Sequence, residues 1–542
     1  MKKILLFLLL SQLYFSQQWS ISNAERNALI SIYNATSGEQ WSQTWDMTRD
    51  PKTWFGVKVK SGSVTELNLR GNALKGSFPT SVASLPKLEK LDLSSNQLSG
   101  DVSPAISSLQ NLIRLDISNN RFTGDPTAAI LPLSKLTEIS VGNNNFQFAD
   151  LNMLLGNFPQ LLVLDLSHTG LTAVPQKIST LTSLKVLNLS NNAIAQNFGN
   201  LSTLIQILEL NLSGNQLIKI PTEVGNLTTL QTLDLSNNLF TTNFSAALSP
   251  LKKLEWLSLR SNQITAIPAE FSQLSNLVHL NLGDNKISSG FQTIRLLKKL
   301  EQLYLDKNEI TAFPETLLQL PMLQMFSLVG NQMTGTIPDL IPALTFIDNN
   351  RYTKSEIRNF LLKNKEMADF TYSPQRYDEL KTISASVGAS AVLPQELTGD
   401  EYLFTWFKNL DEKTASTTES YYISNVTDSD FADYTCEAYY FEALPQALME
   451  VAFYREPVTL ANALATQEVS RDLIVYPNPT KDFLNIKTNR NDIEKVFVFD
   501  LSGKVIFSEN SRRINVSNLP SGNYILSIKT SDGVKSFKFI KQ

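Results

Sequence analysis

One asparagine recurs through the middle of this chain on a beat that few folds tolerate. Asn72, Asn96, Asn120, Asn144, Asn192, Asn215, Asn238, Asn262, Asn285, Asn308 and Asn331 follow one another at 23 or 24 residues, apart from one double gap that Thr169 fills. Around each beat stands the same frame, as in Leu91, Leu93, Asn96, Leu98 and in Leu233, Leu235, Asn238, Phe240. Twelve such copies between Val64 and Met333 imply a stack of like units, each burying its leucines against its neighbours. The leucine pair points inward from a short strand, and the residues beside it point to the opposite face. The asparagine ends the strand, where the chain turns with no room for water. Its amide both donates and accepts, so stacked copies form a ladder. Leaving those buried groups unpaired would cost about 1–3 kcal/mol each. Thr169, with a shorter reach, is expected to be the weakest rung.

The frame L-x-L-x-x-N-x-L resembles the leucine-rich repeat. That resemblance implies an α/β solenoid, a horseshoe whose concave face is a parallel β-sheet, over residues 64–352 as twelve repeats and one truncated turn. Leu74-Lys75-Gly76-Ser77-Phe78-Pro79 resembles a plant-type return, whereas Lys219-Ile220-Pro221 and Ala266-Ile267-Pro268 resemble a shorter type. Proline there holds φ in an extended return. Twelve strands about 4.8 Å apart would give a face roughly 55 Å long, a surface rather than a pocket.

The flanks follow from the solenoid's exposed ends. Residues 18–63, with Trp41, Trp45 and Trp54-Phe55-Gly56-Val57, resemble the N-terminal cap of plant-type repeats, with Lys52 and Val59 where that family places cysteines. The aromatics are expected to cover the first strand's edge, with a ligand-binding aromatic box as the alternative. Residues 353–370 open with the capping box Thr353-Lys354-Ser355-Glu356 and read as a C-terminal lid helix with Ile357, Phe360 and Leu361 on one face. From 371 to 457 the period becomes that of strands. There Trp406 and Asp430-Phe431-Ala432-Asp433-Tyr434-Thr435-Cys436 resemble an immunoglobulin-like sandwich, with Trp406 as core tryptophan and Tyr434 as tyrosine corner. Ser390–Gln395 offers no cysteine to pair with Cys436, which is expected as a small buried apolar residue. Residues 458–471 read as a linker. Residues 472–542 form a second small all-β domain, in which Tyr476-Pro477-Asn478-Pro479, Asp500-Leu501-Ser502-Gly503-Lys504-Val505 and Leu519-Pro520-Ser521-Gly522-Asn523-Tyr524 resemble the type IX secretion sorting domain of Bacteroidetes. At the other end, Met1-Lys2-Lys3 followed by Ile4–Leu10 reads as a signal peptide over 1–17.

Composition narrows the function. Lys plus Arg is 47 and Asp plus Glu is 51, a net charge of −4 that leaves no basic footprint for nucleic acid or anionic lipid. One cysteine and two distant histidines, His168 and His279, argue against a zinc site, and no cofactor is expected. Neither H-E-x-x-H, G-x-S-x-G nor G-x-x-x-x-G-K-[ST] occurs, so no catalytic residue is assigned. Asp92 and Asp116 could share a calcium ion, but Lys90 and Arg114 flank them and they are expected to be solvated charges.

The concave face carries the information that remains. Its early repeats alternate charges. Repeats nine to twelve instead gather Trp256, Arg260, His279, Gln302, Tyr304, Asp306 and Met325, the candidate partner-binding residues. Tryptophan, tyrosine and arginine are the types that dominate interface hot spots. The expected protein is a monomer without a membrane-spanning segment, secreted across the outer membrane to the surface or medium. It would bind a protein or glycan on the concave face and engage the type IX machinery through its C-terminus. The alternative is a secreted hydrolase acting on surface polymers, disfavoured because Glu66, Glu138 and Glu209 are too widely spaced for paired acid–base work.

Overall fold

The computed structural model describes residues 19–542 other than 103, 242–246, 340, 343, 365–369, 410–411, 415, 446–447, 464–472, 489–492, 501–504 and 531–532. The expected signal peptide and Leu501–Lys504 of the second sorting motif lie outside the described residues. The chain divides into two compact units. The first runs to Leu380 and adds Pro394–Ser420 and Thr435–Pro457; the second comprises Lys381–Leu393, Tyr421–Tyr434 and Val458–Gln542.

The first unit is built on a fourteen-stranded sheet. Val57–Lys60 pairs antiparallel with Ser63–Asn68, and from there the strands run in parallel, one per repeat, to Leu344–Phe346. The framed leucines are fully buried, with Leu91, Leu93, Leu233 and Leu235 all at 0 % exposure. The asparagine ladder has the expected chemistry. Asn285 Nδ2 donates to the carbonyls of Leu259, Leu282 and Gly283, and its Oδ1 accepts from the Ile264 amide. Each rung thus ties its own turn to the preceding one. Just ahead of the rungs, Ser95, Asn119, Asn143, Asn191, Asn237, Ser261, Asp284 and Lys307 are left-handed, with φ between 49° and 60°. His168 (φ 51°) occupies this turn in repeat five. The Thr169 hydroxyl donates to Leu166 within its own turn at 2.7 Å and has no amide with which to reach the turn before.

The two kinds of return differ as their sequences do. Lys75–Ser77, Gln97–Asp101 and Arg121–Thr123 form a second parallel sheet. A turn of 3₁₀-helix after a proline is common to both kinds (Pro79 before Thr80–Ser84, Pro175 before Gln176–Thr180, Pro221 before Thr222–Asn226, Pro268 before Ala269–Gln273), so the second sheet is what sets the early returns apart.

At the N-terminal end, Ser22 caps the helix Asn23–Ala35, whose Ala28, Leu29, Ile32 and Tyr33 are buried. Tyr33, Trp41, Trp45 and Trp54 form one continuous cluster with centroid separations of 4.8–5.9 Å. Each tryptophan is 4 % exposed and its indole N–H is satisfied by a carbonyl of Thr36, Phe55 or Asp46. The cluster is therefore filled by its own members, and no open aromatic box exists there. Gly56 (φ +76°) is required because a Cβ would meet the Asn68 carbonyl oxygen at 1.9 Å.

At the other end, helix Lys354–Lys363 shows both halves of its capping box and buries Ile357, Phe360 and Leu361. Its outer side carries ion pairs. Arg358 grips Glu442 through two nitrogens at 2.9 Å, and Lys354 meets Glu401 at 2.8 Å with its ammonium 4.6 Å from the Tyr440 ring centre. Within this unit the strands run in the order Gln375–Tyr377, Leu448–Arg455, Asp433–Ala443, Leu403–Lys408, Glu412–Lys413. Trp406 is fully buried, with its N–H on the Thr418 carbonyl. Cys436 is also fully buried, and burial pushes its thiol up to about 12. Beside it Arg455 and Asp378 form a buried ion pair at 3.0 Å, with Arg455 also donating to the Pro394 carbonyl.

In the second unit, Ala391–Leu393 pairs with Tyr421–Ile423, and the Tyr434 hydroxyl donates back to the Asp430 carbonyl at 2.8 Å. The linker expected over 458–471 begins instead as a strand. Val458–Asn462 runs parallel to Lys381–Ala385 and pairs with Asp433 and Tyr434. Val458 and Leu460 are buried at 0 % and 1 %, an alternation that the small neighbours Thr459 and Ala461 concealed. Further on, a three-stranded and a four-stranded sheet share one core that includes Leu484, Ile486, Ile514, Val498, Leu526 and Phe539. Asn478, from the opening motif, accepts from the Ile540 amide and donates to the Lys538 carbonyl of the last strand.

Candidate binding surface

Parallel pairing in strict register decides which side chains meet on the concave face. Trp256 lies opposite His279, His279 opposite Gln302, Gln302 opposite Met325 and Met325 opposite Leu344. Adjacent strands bring same-face side chains within about 5 Å of one another, so four large residues at neighbouring positions must stack or splay. They stack. The Trp256 and His279 rings are 5.2 Å apart and 16° from parallel, and His279 and Tyr304 are 5.2 Å apart at 39°. The Tyr304 hydroxyl reaches the Met325 sulfur at 2.8 Å, and His279 Nδ1 is 2.9 Å from Gln302 Oε1. Trp256 is half-buried because the imidazole covers one of its faces.

The charged candidates sit one step further along the strands. Arg260 is 3.7 Å from Asp284, both of them open to solvent, so the pair is worth little by itself. Asp306 accepts from the Ser327 hydroxyl. Burial raises its carboxyl above the usual range, against the pull of the Ser327 hydrogen bond and the Arg260 charge. Burial likewise lowers the imidazole of His279, against the hydrogen bond to Gln302. Burial raises the phenol of Tyr304, and the Asp306 charge adds to that. The candidates therefore form one neutral, stacked row (Trp256, His279, Gln302, Tyr304, Met325) flanked by Arg260, Asp284 and Asp306.

Two members of this surface escaped the sequence. Leu344 and Phe346 continue the row on the thirteenth strand, half-buried beside Met325 and Ser327. Counting back six and four residues from Asn350 would have found them, because the framed positions five and three back are Thr345 and Ile347, both fully buried.

Elsewhere the face is occupied by its own scaffold. Asn68, Asp92, Asp116, Asp165, Asn188, Asn211, Asp234 and Asn281, each between the framed leucines, accept the backbone N–H two residues on at 2.8–3.2 Å. This is an Asx turn repeated along the solenoid. Asp92 and Asp116, expected as solvated charges, are 5 % and 7 % exposed. Burial, with the Asp92 charge adding to it, raises the carboxyl of Asp116 against the Ser118 hydrogen bond. Arg114 lies 3.4–3.5 Å from Asp92, Asp116 and Glu138 and bridges the three carboxylates. Among the described residues no cluster of histidine, cysteine or carboxylate side chains is arranged to hold a metal ion. A groove of about 730 Å³ opens on the return side, lined by Phe198, Leu217, Ile218 and Ile220, where the left-handed Gln216 (φ 59°) interrupts the return.

Comparison with known proteins follows the same division. Residues 87–109, 111–133, 205–264 and 228–287 match leucine-rich repeat models, and residues 474–542 match the secretion system C-terminal sorting domain. Among solved structures, an internalin from Listeria monocytogenes is 23 % identical and aligns over 58 % of this chain and 91 % of its own, with a TM-score of 0.46. A leucine-rich repeat protein of Leptospira interrogans is 31 % identical over 56 % of this chain and 83 % of its own, with a TM-score of 0.45. The Arabidopsis receptor kinase HAESA, solved with a peptide hormone and a co-receptor, is 21 % identical over 66 % of this chain and 79 % of its own, with a TM-score of 0.40. No helix among the described residues is long and apolar enough to cross a membrane. The sorting domain marks the chain for type IX secretion, to the cell surface or the extracellular space. The chain is a leucine-rich repeat protein that carries a secretion-system C-terminal sorting domain.

Proposed function

We propose that this is a surface-displayed recognition protein of a Bacteroidetes-type bacterium, without enzymatic activity, that binds its partner on the concave face of repeats nine to thirteen. The observation that carries this is the row Trp256–His279–Tyr304–Met325. It is the stretch of the face where aromatic and thioether side chains gather on neighbouring strands, and Ser258, Tyr304 and Ser327 there, like Ser140 in repeat four, stand in place of the Asn or Asp that closes an Asx turn in the other repeats. The stacking also bears on the class of partner. Rings that cover one another's faces present edges, an amide and a thioether outward, which suits a polypeptide better than the open ring face a sugar stacks on. The residues around Trp406, Tyr434 and Cys436 we read as an immunoglobulin-like sandwich. In that reading a hydrophobic thiol takes the place of a disulfide, and the hydrogen bond from Tyr434 to Asp430 acts as a tyrosine corner.

Trp256→Ala with Tyr304→Ala tests the proposal. Against peptide and glycan arrays probed with the labelled full chain, the double variant is expected to lose at least about tenfold in affinity for whatever the native protein captures, since hot-spot truncations cost about 2 kcal/mol or more. Its melting temperature should stay within a few degrees. Undiminished capture would overturn the assignment of the site, and selective capture of glycans would overturn the preference for a polypeptide.

A further inference from the structure

The ladder does not stop at Asn350. In an interior rung the asparagine donates to its own turn and to the turn before, while its oxygen accepts from the amide two residues past the previous rung residue. Gln375 reproduces that pattern one repeat later. Its Nε2 donates to the Tyr372 carbonyl in its own turn and to the Ile347 carbonyl in the turn before, at 2.6 and 2.9 Å. Its Oε1 accepts from the Tyr352 amide, two residues past Asn350, at 3.0 Å, and the residue is fully buried. The backbone agrees. Ile347 donates to the Thr371 carbonyl, Thr371 to Thr345, and Arg376 to Asn350, continuing the bonds that link one repeat to the next. The Arg376 guanidinium then closes the end, donating to the carbonyls of Asn349 and Asn331 and pairing with Glu456 at 3.3 Å. Gln375–Tyr377 is also the edge strand that pairs in parallel with Phe453–Arg455.

We propose that residues 371–376 are a fourteenth solenoid turn and that the sheet they enter is the solenoid's true C-terminal cap, so that the end of the concave face and this sheet open as one cooperative body. Helix Lys354–Lys363 covers the flank of that end, whereas Gln375 satisfies the polar groups the last rung would otherwise leave exposed. A lid that docked through the helix alone would let the sheet open independently of repeats twelve and thirteen. A shared rung forbids this, because the atoms that complete one body belong to the other.

Hydrogen exchange by mass spectrometry on the full chain decides between these. Gln375→Ala should speed exchange by at least tenfold in two places together, the 344–352 turn and the 448–455 strand, while peptides over 209–234 keep native protection. Gln375→Met, which keeps the length of the side chain and loses its donors and its acceptor, should speed exchange in the same two places and serves if the alanine variant does not accumulate. Arg358→Ala, which cuts the half-buried ion pair that joins the helix to Glu442, should leave both regions within about twofold of native. Acceleration confined to one of the two regions, or to neither, would overturn the proposal, and so would a larger joint effect from Arg358→Ala than from Gln375→Ala.

Discussion

Thr169 shows how much a rung depends on one functional group. Its hydroxyl satisfies Leu166 and lies 3.4 Å from Asn192 Oδ1, but it has one donor where an amide has two, and a shorter reach. Thr169→Asn is expected to reach the Val141 carbonyl and to accept from Phe146, stabilising the turn by about 1 kcal/mol. Slower amide exchange over 141–171 would show it, and unchanged exchange would mean that the turn has already relaxed around threonine. Cys436 is the opposite case, a reactive group made inert by where it is. With its thiol pushed up to about 12 by burial, almost no thiolate exists at pH 8 in the folded protein. Its folded value lies above its ordinary one, so its contribution to stability is complete below about pH 9 and disappears as pH rises through 12. A thiol reagent such as Ellman's should therefore label the native chain at pH 8 only as fast as it unfolds. Immediate stoichiometric labelling would contradict the burial.

Among elements, those with a strict period were legible and those whose meaning lies in a hydrogen bond were not. Leucine spacing placed twelve of the parallel strands, and Thr353 with Glu356 placed the lid helix, because both signals are local. The aspartates of early repeats looked like surface charge. Nothing in their spacing distinguishes a carboxylate facing water from one turned back onto its own backbone, as at Asp92 and Ser94. The strand Val458–Asn462 was lost in a run of small polar residues, and Gln375 was invisible as a rung because it is neither asparagine nor 23 or 24 residues from the last one. The candidate row was found by counting positions. That its members stack on one another needed the register.

At the scale of the molecule, residues 474–542 carry the export instruction and the solenoid carries the recognition surface proposed here. Removing 474–542 is expected to leave the protein inside the outer membrane. Fractionation with an antibody to the solenoid would find it in the periplasm, and continued appearance in the medium would mean that export uses another signal. The Asx turns set a further limit, on how this face can be rewritten. In eight of the twelve repeats the side chain between the leucines is committed to its own backbone, which leaves one freely variable column per strand. Where serine or tyrosine has released that position, at Ser140, Ser258, Tyr304 and Ser327, two columns become available side by side. A library that seeks a new specificity should therefore vary both columns in repeats four, nine, eleven and twelve, and only the outer one elsewhere.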